Sequence, residues 1–260
     1  MKRARTASLV ALAVLSFALS GFSQEPAAPT ARISPEVIRM DAFYGGAQIR
    51  VEGEVPAGSG VYLVVKGPQI EESFNKKGRF GPIWANAGKV RIAGVPALFI
   101  GFSSAPLADL LSREALEAGQ LDVTSIQAQM KVDPPVMDQP LVRENYLKLK
   151  SDQGILQVNE GTVAVTPGEN SSRYAVSFAW PKVAPPADYR LEVYACRDGR
   201  VLSRAELPLK VLKVGFPEKM AGMAKDRAVL YGILCILVAT LAGLGIDFIA
   251  SRLGGKVSAH

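Results

Sequence analysis

Histidine is almost missing from this sequence, and cysteine is scarce. The single histidine is His260, the last residue, and the two cysteines are Cys196 and Cys235. Histidine paired with serine or cysteine, histidine metal centres and Cys-x-x-Cys-His haem attachment are therefore excluded from the body of the chain. We predict a protein that is not an enzyme, with no catalytic residue, metal site or other cofactor.

Three weaker chemical patterns have a functional and a structural interpretation. Glu52 and Glu54 share one face of a predicted strand, and they could form a carboxylate pair with a chemical role or simply a solvated surface. Cys196 lies at the end of a predicted strand, and it could be a reactive thiol or a buried small side chain. Scattered methionines could bind copper(I), but pairs such as Met220 and Met223 more often pack against neighbours. The structural interpretation is favoured in each case.

A strong charge imbalance is also lacking once the two ends of the chain are set aside. The whole sequence has a net charge of +6. Residues 21–227 hold 25 Lys and Arg against 23 Asp and Glu, a net charge of only +2. The basic surface expected of a nucleic-acid-binding protein is therefore absent.

Long apolar runs are few, and the first is too short to span a bilayer. Lys2, Arg3 and Arg5 precede the apolar run 7–19. This arrangement is typical of a secretory signal peptide. We predict a signal peptide over 1–20, with cleavage before Gly21 or as late as residue 23.

The second run, 228–250, is long enough to cross the roughly 30 Å hydrocarbon core as a helix. With an exported N-terminus, it predicts a single-pass protein of the bacterial inner membrane, with a periplasmic ectodomain and a cytoplasmic tail over 251–260. Gly232, Ala239 and Gly243 supply small side chains of the kind that pack membrane helices together. Packing against another membrane protein is one interpretation, and ordinary membrane-helix composition is the other.

Between these ends the pattern is mainly β, with period-two alternation and β-branched runs bounded by turn residues. We predict two small β-sandwich domains of immunoglobulin-like type, connected by one or two short helices and followed by the transmembrane helix. The predicted segments are a linker at 21–30, a first sandwich at 31–104, a helical connector at 105–154, a second sandwich at 155–215 and a juxtamembrane segment at 216–227.

One surface candidate stands out in the first sandwich. Lys76, Lys77 and Arg79 follow each other closely, with Trp84 and Asn86 nearby. A charged hairpin turn beside a core tryptophan is the structural interpretation. The functional one is a patch that binds a partner, an anion or lipid headgroups, because these cations donate to oxyanions and tryptophan adds rigid contact area.

Short motifs occur in both halves of the chain: Gly67-Pro68, Lys77-Gly78-Arg79, Ile83-Trp84, Ser103-Ser104-Ala105-Pro106-Leu107, Tyr189-Arg190-Leu191-Glu192-Val193-Tyr194, Arg197-Asp198-Gly199 and Leu230-Tyr231-Gly232. Together they resemble a proteobacterial "putative transmembrane protein" family. The resemblance implies a single-pass periplasmic protein of a family to which no reaction is assigned. It also implies an association with permeases of the sulfite or organosulfonate exporter type.

These observations favour an accessory or assembly role in which the ectodomain, the helix or both contact another inner-membrane protein. The alternative is a periplasmic sensor module that binds a small anion. In both cases the bilayer is a partner and nucleic acid is not.

Reporter fusions test the predicted topology. A reporter that is active only in the periplasm should be active when fused after Pro217 and inactive when fused after His260, because one membrane span separates the two positions. Activity measurements in intact cells check this, and the reverse pattern would contradict it.

Overall fold

The computed structural model describes residues 27–135 and 139–253. The predicted signal peptide, its cleavage site, residues 21–26 of the linker and residues 254–260 of the tail lie outside these ranges. Within them the chain is mainly β and ends in one long apolar helix, which confirms the predicted fold class.

The part of the chain that the structure describes forms thirteen strands, which are numbered in chain order. They are β1 (Thr30–Ser34), β2 (Val37–Met40), β3 (Gln48–Pro56), β4 (Gly60–Lys66), β5 (Gln69–Phe80), β6 (Ile83–Pro96), β7 (Phe99–Ser103), β8 (Lys131–Asp133), β9 (Leu156–Asn159), β10 (Ala164–Thr166), β11 (Ser171–Ala179), β12 (Asp188–Arg197) and β13 (Arg200–Lys213).

Six helices accompany them. They are α1 (Leu107–Leu110), α2 (Arg113–Gly119), α3 (Val123–Gln129), α4 (Gln139–Asp152), α5 (Phe216–Asp226) and α6 (Ala228–Leu253). The helical connector predicted at 105–154, with one or two short helices, thus contains four among its described residues, and a break separates the first two. The break comes at Leu111, which is extended, and Ser112 then caps α2 by accepting a hydrogen bond from the Ala115 N–H at 3.2 Å.

Two sheets face each other across one core. One has the order β1-β3-β11-β10, and the other has the order β2-β13-β12-β4-β7-β9. Phe102 of the second sheet and Phe178 of the first lie with ring centroids 4.5 Å apart. Trp180 packs edge-on against Tyr189 at 4.8 Å. These aromatic contacts join the inner faces of the sheets into a β-sandwich.

Both sheets mix strands from the two ranges that we predicted to be separate sandwiches. β3 pairs with β11 over nine residue pairs, and β4 pairs with β12 from Lys66–Arg190 to Gly60–Cys196. The structure therefore differs from the prediction: the boundary between 31–104 and 155–215 does not divide either sheet. Local alternation shows where strands lie but carries no information on which distant strand each one pairs with.

The central position of β4 in its sheet explains why the sequence of this strand is a continuous apolar run. Val61, Tyr62, Leu63, Val64 and Val65 are all fully buried. One face of β4 meets the opposite sheet, while the other is covered by the short helices, where the Tyr62 hydroxyl donates to the Leu121 carbonyl. A strand covered on both faces reads as an unbroken hydrophobic segment rather than an alternating one.

A long β-hairpin leaves this sandwich, and β8 pairs with its second strand near the base. The β4–β7 pairing ends at Lys66 and Phe99, and two further backbone hydrogen bonds of 2.8 Å, Gly67 N to Leu98 O and Ala97 N to Pro68 O, continue it. β5 and β6 then pair from Gln69–Pro96 onward. The antiparallel ladder therefore runs on from the sandwich into a hairpin, which we call the ribbon (residues 69–96).

Helix α6 has the length and composition of a membrane span. Its segment Ala228–Arg252 has a mean hydropathy of 2.4, and none of it is buried against the rest of the described chain. At about 1.5 Å of rise per residue, 25 residues exceed the hydrocarbon thickness of a bilayer. This agrees with the predicted span at 228–250.

The mixed sheets predict that the N-terminal half does not fold alone. Fragment 27–104 should lack a cooperative unfolding transition, because β3 and β4 lose β11 and β12 and expose both faces of the core. Thermal unfolding followed by circular dichroism checks this, with fragment 27–215 as the folded control. A sharp transition in 27–104 would contradict the shared core.

Candidate functional site

The predicted site residues lie at the outer end of the ribbon. Lys77 is directly opposite Asn86, and Arg79 is directly opposite Trp84. Opposed residues of an antiparallel pair point to the same face, and alternate pairs share that face. The structure therefore brings Lys77, Arg79, Trp84 and Asn86 together on one face.

Lys76 is separated from the other four. It is opposite Gly88, and a β-bulge between Lys76 and Lys77 leaves Ala87 as the extra residue. As the neighbour of Lys77 in a strand, Lys76 points to the opposite face, where it lines a groove. The predicted patch is thus divided between two surfaces.

The turn lies further along the chain than we predicted. The two strands meet at Gly81 and Pro82, and Gly81 has φ of 61°. Glycine is favoured at such a position because a Cβ disfavours positive φ. Residues 75–79, which we interpreted as a possible charged turn, belong to β5.

Trp84 is not a core residue. It is 67% exposed, and its neighbour Ile83 is 62% exposed. The structural interpretation, a core tryptophan beside a charged turn, is therefore wrong, because the hairpin extends beyond the core that would have covered the indole. Exposed large apolar side chains at the end of a projecting element are typical of a contact surface.

Lysine 89 adds a third cation to the Trp84 face. It is opposite Asn75, on the same face as Lys77 and Arg79. We call the face formed by Lys77, Arg79, Trp84 and Lys89 the basic strip. Among the ion pairs between residues that the structure describes, none includes a cation of the basic strip. The positive charge of the basic strip thus stays uncompensated within these ranges.

The opposite face of the ribbon forms an apolar groove with α4. The groove has a volume of about 520 Å³. We call it the α4 groove. Its apolar lining is Phe74, Val90, Ile92, Leu141, Val142, Tyr146 and Leu149. Leu141 and Leu149 are 55% and 41% exposed, so the helix presents apolar side chains to solvent along this groove.

A polar cluster holds α4 against the ribbon. Glu72 accepts a 2.7 Å hydrogen bond from Lys150 Nζ and a 2.8 Å bond from the Tyr146 hydroxyl. The Tyr146 ring also packs edge-on against Phe74 at 5.8 Å. Burial, together with the bond to Glu72, raises the pKa of Tyr146. The cluster fixes the width of the α4 groove, and sequence reasoning missed it because its members are more than 70 residues apart.

A second concave site lies where the ribbon leaves the sandwich. This basal pocket, of about 700 Å³, is lined by Lys66, Arg190, Glu192, Arg200 and Arg204 among others. Glu192 is buried and pairs with Lys66 Nζ at 2.8 Å. Burial disfavours the Glu192 carboxylate, but hydrogen bonds from Lys66 and Tyr194 and the charge of Lys66 outweigh it and lower its pKa. The remaining arginines give the pocket a net positive charge.

The two cysteines lie in different elements, Cys196 in β12 and Cys235 in α6. Cys196 is 1% exposed, and burial raises its pKa to about 12. A thiol held protonated in this way is a poor nucleophile, which supports the interpretation of Cys196 as a buried small side chain. Both cysteines are free.

The predicted helix-packing residues share one stripe of α6. Gly232, Ala239 and Gly243 are spaced by seven and four residues, which returns to the same face of an α-helix. No described side chain or distant backbone lies within 4 Å of a Cβ built on Gly232 or Gly243. The stripe is therefore open to close approach by another helix.

Comparison with known proteins agrees with this architecture. A family model described as "Putative transmembrane protein (Alph_Pro_TM)" matches residues 30–252. The chain belongs to this family, which confirms the resemblance seen in the sequence motifs. No curated protein and no solved structure gives a significant match. The family, together with the one membrane-capable helix found among residues 27–135 and 139–253, supports a single-pass membrane protein.

The Glu72 cluster predicts a contrast between two adjacent glutamates. Glu72→Gln should lower the free energy of unfolding by about 2–3 kcal/mol, because it leaves the Lys150 ammonium buried without its counter-charge. Glu71→Gln, whose side chain is 58% exposed, should change it by less than about 0.5 kcal/mol. Denaturant unfolding of both variants checks this, and equal effects would contradict the assigned role of Glu72.

Proposed function

We propose that this chain is a membrane-anchored accessory protein that holds a second membrane protein against its ectodomain, and that it has no catalytic activity of its own. The observation that carries the proposal is the α4 groove. An apolar groove that the described chain leaves open, together with the open small-residue stripe of α6, provides two contact surfaces in one molecule.

The chemistry of the α4 groove defines the partner segment. Its floor is apolar, and Lys76, Asn75 and Asn145 lie at its polar margin. The segment that suits it carries apolar side chains followed by a carboxylate, so that the side chains fill the groove and the carboxylate pairs with Lys76. An extracytoplasmic loop of an integral membrane protein fits this description and lies at the right surface.

The proposed setting is the bacterial inner membrane, with the ectodomain in the periplasm. Its support is the basic and apolar start of the sequence, which is typical of export. Export of residues 21–227 leaves the end of α6 in the cytoplasm. The proposed partner is a permease of the sulfite or organosulfonate exporter type, as the family resemblance implies.

A second candidate function is the binding of a small anion. The basal pocket favours it, because Arg190, Arg200 and Arg204 line a cavity with one buried carboxylate that Lys66 already neutralises. Arginine donates to oxyanions in a bidentate manner. Titration calorimetry of the protein with sulfite and sulfate distinguishes the candidates, since an accessory role through the α4 groove needs no such binding.

Replacing the exposed leucines tests the partner proposal. Leu141→Ser with Leu149→Ser should weaken capture of a coexpressed exporter-type permease by about tenfold or more, because the variant removes apolar area that the partner would bury. Affinity capture of the full chain from mild detergent, quantified against the permease input, provides the measurement.

The matched control is Phe43→Ser with Val183→Ser. These side chains are 95% and 56% exposed and lie outside the α4 groove, so capture should not change. Equal capture by both double variants would contradict the α4 groove as the docking surface. A Gly243→Ile variant then measures separately how much α6 contributes to capture of the permease.

A further inference from the structure

The ribbon and the membrane helix leave the sandwich at the same end. Lys66 of β4 is opposite Arg190 of β12, which is opposite Pro208 of β13. The ribbon begins just after Lys66, and β13 continues past Pro208 to Lys213 before leading into α5 and α6. Strand pairing therefore places the root of the ribbon at the membrane side of the sandwich.

The ribbon is long enough to reach the membrane surface from there. The 12 residues of β5 extend about 40 Å at roughly 3.3 Å per residue. The segment between the sandwich and the span is mainly α5, whose 11 residues rise about 16 Å. The unbroken ladder between Lys66 and Gln69 carries the ribbon onward from the sheet. The length of the ribbon is therefore greater than the distance that α5 can place between the sandwich and the start of the membrane span.

The composition of the outer ribbon suits a lipid surface. Residues 73–90 contain four Lys and Arg and no Asp or Glu. The cations of the basic strip flank Ile83 and Trp84, which are mostly exposed at the turn. Tryptophan is enriched at the headgroup level of bilayers, and neighbouring cations bind anionic headgroups.

We propose that the turn of the ribbon lies in the headgroup layer of the membrane that α6 spans, with Trp84 and Ile83 at the interface and the basic strip on anionic phospholipid. This contact is separate from the partner proposed for the α4 groove, which lies on the opposite face of the ribbon. It gives the ectodomain a second attachment to the bilayer.

Fluorescence of Trp84 in proteoliposomes tests this with the full chain. The sequence has two tryptophans, and Trp180 is only 2% exposed in the core. The difference between the wild type and Trp84→Phe therefore reports Trp84 alone. In vesicles of phosphatidylglycerol and brominated phosphatidylcholine, we expect this difference signal to be blue-shifted and quenched by the bromolipid. In vesicles of phosphatidylcholine alone, with the same content of brominated lipid, we expect weaker quenching.

A charge variant tests the basic strip. Each cation near an anionic surface contributes about fivefold to membrane affinity, so Lys77→Gln, Arg79→Gln and Lys89→Gln together should weaken the contact on the order of 100-fold. The bromolipid quenching should fall towards the phosphatidylcholine value, and added salt should lower the wild-type quenching in the same direction. The matched control is Arg32→Gln, Arg50→Gln and Arg173→Gln, which removes three exposed cations from the outer face of the four-stranded sheet.

Three results would overturn the proposal. The first is a Trp84 signal that aqueous iodide quenches and bromolipid does not. The second is equal bromolipid quenching in both lipid mixtures and in both triple variants, which would exclude headgroup recognition. The third is protection of Trp84 only when a permease is added, which would assign the basic strip to a protein contact. Circular dichroism melting at the wild-type temperature confirms that each variant is folded.

Discussion

The backbone pairing between β4 and β7 is the constraint on which the rest of this structure depends. Within the sandwich it places β4 at the centre of the six-stranded sheet, covered on both faces. Beyond Lys66 the same ladder continues outside the six-stranded sheet and becomes the ribbon, with β8 paired to β6 at its base. Because one set of hydrogen bonds serves both parts, the orientation of the ribbon is coupled to the core, and a contact at its outer end acts on the whole ectodomain.

The two faces of the ribbon carry different chemistry for a simple geometric reason. Side chains alternate along a strand, so adjacent lysines at 76 and 77 point in opposite directions. One face packs α4 through Glu72 and Phe74 and leaves the α4 groove. The other face has Trp84 and the cations of the basic strip along its outer part. A partner and a lipid surface could thus be contacted at once without competing for side chains.

Much of the fold could be predicted from local sequence. The β-branched run at Val61–Val65, the Asp198–Gly199 turn and the long apolar segment after Ala228 correspond to β4, the β12–β13 turn and α6. Each is a pattern within a few residues. The strand at Gln69–Phe80 was missed because its glycine, lysines and asparagine are depleted in strands, and the ladder rather than propensity holds it.

Long-range pairing was beyond the same reasoning. Two halves that each alternate correctly are consistent with two sandwiches or with one sandwich built from both, and only the register of β3 with β11 decides. The candidate site shows the same limit. The residue types at 76–86 predicted a contact surface, but the division into two faces depends on a bulge at Ala87 and on α4, which joins the ribbon through Glu72 from more than 70 residues away.

The alternation of the ribbon also means that its length can change only in discrete steps. Adding one residue to each strand would lengthen it by about 3.3 Å and turn Trp84 and its cations towards the opposite side. Adding two to each strand would restore the original facing at an extra height of about 6.6 Å. In the membrane contact that we propose, the ribbon would therefore set the distance between the sandwich and the bilayer in two-residue increments. Related chains with ribbons of different length should then differ by even numbers of residues per strand.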